Sequence, residues 1–180
     1  MSEQVRVDRA AIHREIDAAR QTFRALLAGA TADDLRRRSN GTRWTNEQLL
    51  FHMLFGYLIV RALLPLVRTC ARLPPRASRL FARCLDAGTG PFDVINYLGS
   101  CAGALVFNRD RMAGELDRVA IGLLRRLDAE ADAGLLQGMS FPSGWDPYFR
   151  DWMSVADVYH YATLHFEAHR HQLTLDEHTQ

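Results

Sequence analysis

Three of the seven histidines stand in one stretch near the C-terminus, "LHFEAHRHQL": His165, His169 and His171. On a helix, His165 and His169 are i and i+4 and stand one above the other on a single face. That spacing lets two imidazoles converge on one metal ion. Tyr161 lies one turn earlier on the same stripe, whereas His160, Glu167 and His171 lie on other faces. The pair His165 and His169 is therefore the chelating candidate, and His171 is a bystander. Two such histidines on a surface helix often do nothing, so a third ligand matters. His52 is the candidate, flanked by Phe51, Met53, Leu54 and Phe55 in the most apolar part of the chain. A buried imidazole needs a partner for each ring nitrogen. A carbonyl or carboxylate would serve, and so would a metal shared with the other pair. Gly56, one turn from His52 on its face, costs a helix about 1 kcal/mol against Ala. Clearance for an ion or ligand would explain it, as would close helix packing. Three neutral imidazoles suit Zn, Ni or Fe(II) better than Ca or Mg. On Zn they leave an open fourth position for Lewis-acid work, or for activating a thiol or water.

The elements that would carry these residues are helical. Strand signals are nearly absent. "RAAIHREIDAARQTFRALLAG", near 8–28, sets Ile12, Ile16, Ala19, Phe23 and Leu26 on one stripe, with Gly29 as the stop. A polar connection, "ATADDLRRRSNGTRW", follows, in which Arg36, Arg37 and Arg38 form a solvated patch. "TNEQ" is a capping box, Thr45 with Gln48, opening a helix over 46–72 that meets Pro65. A short helix is expected over 76–86, and Pro91 sits in a first turn. Residues 92–128 are helical in two pieces, divided around Gly99 and Gly103. The segment from Glu130 to Trp152 is irregular and aromatic. Phe141, Trp145, Tyr148, Phe149 and Trp152 either line a pocket mouth or anchor this segment to the core. "SVAD", Ser154 to Asp157, opens a last helix over 155–174. Four long helices, near 8–28, 46–72, 104–128 and 155–174, make an all-α fold. The expected architecture is an up-and-down type four-helix bundle, one domain over 1–180.

Composition bounds the rest. At 180 residues with 48% hydrophobic and 24% charged positions, the chain can bury a core without disulfides. Its net charge of +1 selects for neither nucleic acid nor an anionic membrane. Cys70, Cys84 and Cys101 are odd in number and lack a C-x-x-C pair, which fits reduced thiols in a cytoplasm. Each is read as a small core residue. The start, "MSEQVRVDRAAIHREI", is charged and amphipathic, unlike a signal peptide. The run from Leu49 to Val67 is broken by His52, Arg61 and Pro65, and reads as the central helix of a core rather than a membrane span. No G-x-S-x-G, P-loop or dinucleotide glycine pattern is present.

"RWTNEQLLFHMLFGY" resembles the second-helix motif of the DinB-like metal-binding bundle family: a Trp, a capped helix start, an acidic residue, then a ligand His. "HFEAHRHQL" is similar to that family's last-helix signature, two ligand His four apart before Arg, Gln and an aliphatic residue. Carried over by position, the resemblance implies the metal ligands His52, His165 and His169, with Arg170, Gln172 and Leu173 matching the tail. His171 replaces a frequent glycine, and Tyr161 stands where many members carry a further His. The resemblance implies a divalent metal ion (Zn, Ni or Fe) as cofactor. It also implies activity as a metal-dependent thiol S-transferase. The partners would be a low-molecular-weight thiol, such as mycothiol, bacillithiol or glutathione, and a small electrophile. No protein nucleophile is then required, and no catalytic side chain is singled out. Two other readings stand beside it: a metal-binding bundle with hydrolase or isomerase chemistry, and a non-enzymatic dimeric binding or regulatory protein. A homodimer is compatible with each.

Overall fold

The computed structural model describes residues 7–175. The first six residues of the charged N-terminal stretch lie outside the described residues. Helix α1 (Arg9–Gly29) opens at Asp8, whose carboxylate accepts the N–H of Ala11 at 2.9 Å. Ile12, Ile16, Ala19 and Phe23 are buried as their spacing predicts. The stripe ends on Leu27, with Leu26 half-buried beside it. Gly29 closes the helix without a left-handed residue; among the described residues only Gly41 has a positive φ. The expected polar connection contains a short helix, α2 (Ala32–Arg36), held by a capping box between Thr31 and Asp34. The three arginines are exposed there, yet they also tie the turn together. Arg36 pairs with Asp33, and Arg37 donates to the carbonyl of Thr174 at 2.9 Å.

Helix α3 (Asn46–Cys70) begins at the predicted box. The Gln48 N–H donates to Thr45 Oγ1 at 3.3 Å, and the Thr45 N–H donates to Gln48 Oε1 at 3.0 Å. The helix continues through Pro65. By length and composition α3 could cross a membrane; in the structure Leu50, Met53, Leu54, Tyr57, Val60 and Leu64 are buried in the shared core. Helix α4 (Pro75–Asp86) and helix α5 (Thr89–Val106) follow. The division expected near Gly99 and Gly103 falls instead at 107–108. Asn108 caps helix α6 (Arg109–Ala129) by accepting the Arg111 N–H at 3.1 Å. Gly103 serves packing instead. A Cβ there would run into the ring of Phe51, so its absence lets α5 seat on α3.

The segment before the last helix is less irregular than its sequence suggests. It holds a one-turn helix, α7 (Asp132–Leu135), and strand β1 (Gly138–Ser140), paired antiparallel with β2 (Trp152–Ser154). Met139 faces Met153 in that register, and both are buried. Helix α8 (Val155–Arg170) starts at the predicted box of Ser154 and Asp157 and stops four residues before the expected end.

Helices α1, α3, α6 and α8 share one core. α1 packs against α6 and α8, and α3 packs against the same two, so the order around the bundle is α1, α6, α3, α8. Short loops would make consecutive helices neighbours; here the connections over 30–45 and 130–154 are long enough to cross the bundle end. α5 lies on the outside of α3, and α4 lies against β1. Of the three free cysteines only Cys70 is buried; Cys101 is half-buried and Cys84 exposed, so the core reading fails for Cys84.

Replacing Gly103 by Ala should destabilise the fold by about 1–3 kcal/mol, the usual cost of overpacking a filled site. A urea midpoint unchanged from wild type would show that Phe51 can yield.

Candidate metal centre

His52 lies on the second turn of α3, and His165 and His169 lie on the last turns of α8. These two helices pack face to face, which brings the three rings together. Ring centroids are 4.9 Å apart for His52 and His165, 4.7 Å for His52 and His169, and 4.5 Å for His165 and His169. One nitrogen from each lies within 4.8 Å of the others. Two ligand bonds of about 2.0–2.1 Å span at most about 4.2 Å, so a ring movement of less than about 1 Å brings all three onto one ion.

The outer nitrogens fix the tautomers. Ser100 Oγ donates to the Asn96 carbonyl at 2.8 Å, so its lone pair receives the Nδ1–H of His52 at 3.1 Å. His165 Nδ1 donates to Asp146 Oδ2 at 3.2 Å, and His169 Nδ1 donates to Gln172 Oε1 at 2.7 Å. Each Nε2 is then a bare lone pair. That of His165 is fully buried and has no hydrogen-bond partner. Partners that orient imidazoles in this way are what a metal site uses to hold its ligands. The donor set fits a borderline-soft divalent ion.

Gly56 belongs to the same device. A Cβ at position 56 would lie 2.5 Å from Cδ2 of His165. Of the two explanations open from sequence, close packing is the one realised, and the packed group is the His165 ring. Trp44 covers the other side, stacked on His52 with centroids 4.4 Å apart.

Burial sets the protonation. It pushes the His52 ring well below the ordinary histidine value, with His165 and His169 adding to the effect. His169 is lowered to about 4, by burial first and then by His165. Burial opposes charge on Asp146 too, but hydrogen bonds from His165, the Tyr148 N–H and Tyr161 outweigh it and hold the carboxyl below the usual range. Tyr161 donates to Asp146 Oδ2 at 2.9 Å. Burial, and then the Asp146 charge, raise its pKa far above the ordinary tyrosine value, so it remains a donor.

A cavity of about 350 Å³ opens over the triad. Phe141, Trp145 and Phe149 line it, as the pocket-mouth reading expects; Tyr148 and Trp152 are exposed and do not. Trp145 also anchors its segment. Its ring stacks on Phe92 at 4.0 Å, and its Nε1–H donates to the Leu85 carbonyl at 2.8 Å. His160 binds Glu15 on another face, and His171 is exposed at the end of α8. The roles of Ser100 and Asp146 are not legible in the sequence. Ser100 carries no spacing signal, and Asp146 sits in "WDPY", where an Asp before Pro reads as a turn residue.

The family model described as the DinB superfamily matches residues 15–173. Neither the curated proteins nor the solved structures give a match.

In metal-free protein the His169 ring should titrate near 4, as followed by its ring-proton NMR shift. Its folded value lies below the unfolded 6.5, so the stability owed to neutral His169 is full above about 6.5 and declines as pH falls toward 4. A midpoint near 6.5 would mean the ring is solvated. Gly56→Ala should displace His165 and weaken metal binding by more than about tenfold, measured by competition with a chromogenic chelator; unchanged affinity would show that the ring can shift freely.

Proposed function

The chain belongs to the DinB superfamily, and on that premise we propose that His52, His165 and His169 hold one divalent metal ion, Zn, Ni or Fe(II), at the base of the cavity. We propose further that the protein is a metal-dependent thiol S-transferase acting on a small electrophile. The observation that carries the metal is the buried, unpartnered Nε2 of His165, which faces two further imidazoles whose Nδ1 protons are already engaged. A buried acceptor left unpaired costs about 1–3 kcal/mol, and an ion would offset that cost.

A bound ion would supply Lewis acidity and would lower the pKa of a coordinated thiol or water toward neutrality. The chain's own residues do the rest. Asp146 holds the Nδ1 proton of His165, Ser100 receives that of His52, and Gln172 receives that of His169. Each Nε2 is thereby kept available. Trp145, stacked on Phe92, forms part of the cavity wall. The walls hold an electrophile near the ligated group, and proximity supplies much of the rate. No cysteine is among the described residues lining the cavity. On this reading the sulfur comes from a small thiol, for which mycothiol, bacillithiol and glutathione are the candidates.

One observation favours a second reading, a hydrolase or isomerase acting through activated water. Among the described residues no Arg lines the cavity, so the carboxylates of glutathione or bacillithiol would have no cation to meet inside it.

Protein purified without an affinity tag should carry roughly one ion per chain. His165→Ala should lower affinity by more than about tenfold, and His171→Ala should leave it nearly unchanged. Equal losses from both would undo the assignment of faces. Metal-loaded protein offered each thiol with an epoxide or a haloarene should consume thiol faster than free metal does. If no thiol is consumed and none perturbs the Co(II) spectrum, the transferase reading gives way to the water-activating one.

A further inference from the structure

We propose that the cavity over the histidine triad selects a neutral, apolar, ring-bearing molecule of about two or three rings as the acceptor half of the reaction, with one hydrogen-bonding group directed at Asn96. The proposal relies on the function above for the reaction, but not for the binding.

Size comes first. At about 350 Å³ the cavity lies at the small end of pockets that enclose drug-sized ligands, roughly 300–1,000 Å³. Its walls come from elements outside the four-helix core: α4 contributes Phe81, α5 contributes Phe92, and the 141–149 segment contributes three aromatic rings. Facing them, α3 presents Ile59 and Leu63. Flat aromatic walls opposite a branched aliphatic one favour a planar apolar guest.

Charge comes second. All 22 basic residues of the chain are Arg, yet among the described residues none lines this cavity. The single carboxylate there, Asp146, has both oxygens engaged, with Tyr161 and His165 on one and the Tyr148 N–H on the other. A charged ligand group would lose its hydration without gaining a partner on these walls, which is costly. Asn96 differs. It lines the cavity, and no described residue hydrogen-bonds its side-chain amide. It can meet one hydroxyl, carbonyl or amine of an otherwise apolar guest.

The test uses two fluorophores sharing the same rings, neutral N-phenyl-1-naphthylamine and its anionic counterpart 8-anilino-1-naphthalenesulfonate, with metal-free and Co(II)-loaded protein. The neutral probe should bind both forms, and the sulfonate at least about tenfold more weakly to the metal-free form, since only the first avoids an uncompensated charge. Ile59→Trp should fill the cavity and weaken the neutral probe by more than about tenfold while the circular dichroism and Co(II) spectra persist. If that variant does not fold, Leu63→Arg places a cation on the wall and should shift preference toward the sulfonate. Equal binding of both probes by wild type, or neutral-probe binding unaffected by either variant, overturns the proposal. Neutral-probe binding that responds to the variants, without any Co(II) spectrum, upholds the pocket and overturns the metal reading. A normal Co(II) spectrum without neutral-probe binding does the reverse.

Discussion

Three imidazoles buried against one another disfavour charge on His52 and His169, and much of the local structure follows from that constraint. Each ring keeps its proton on the nitrogen that points away from the others. Ser100, Asp146 and Gln172 receive those protons from three different parts of the chain. The inward nitrogens are left as lone pairs, one of them without any partner. A cluster arranged in this way repels protons, as the lowered values of His52 and His169 show. The same arrangement suits a cation that can accept three lone pairs at once.

The helices exist in a geometry that allows this. α3 and α8 are adjacent in the bundle although their histidines are far apart in the sequence, because α1 and α6 take the other two corners. Two glycines set the spacing. Gly56 leaves the volume that the His165 ring fills, and Gly103 leaves the volume that the Phe51 ring fills. The second contact seats α5 on α3 and so brings Ser100 to His52. Close packing is therefore part of the histidine cluster's chemistry, since it decides which proton acceptors reach the rings.

The cavity depends on a different set of contacts. The 141–149 segment is fastened to α4 and α5 by the Trp145 indole and by the Gly144 N–H, which donates to Asp86 at 3.0 Å. At its far end the segment is held by the β1–β2 ribbon and then by the capping box that starts α8. One aspartate in this segment, Asp146, reaches both Tyr161 and His165. The wall of the cavity and the orientation of a triad ring are thus mechanically joined.

The sequence by itself determined the periodic and local features. Helix stripes and the capping boxes of Thr45 and Ser154 depend on residues within a few positions of one another, so they are legible in one dimension. The i,i+4 pair His165 and His169 is legible for the same reason, and His52 stood out because an imidazole amid Phe and Met demands a partner. Other features were decided only by the tertiary structure. The break at Asn108 replaced one expected at Gly103, because a glycine that ends a helix and a glycine that admits a neighbour's ring look alike until the neighbour is placed. The β1–β2 ribbon escaped notice because three-residue strands are too short to show a period. Ser100 and Asp146 were invisible as proton acceptors, since nothing in a serine or a turn aspartate names the histidine it will meet. Such long-range pairings follow from how helices pack around a common core, and that packing is a property of the whole chain rather than of any stretch of it.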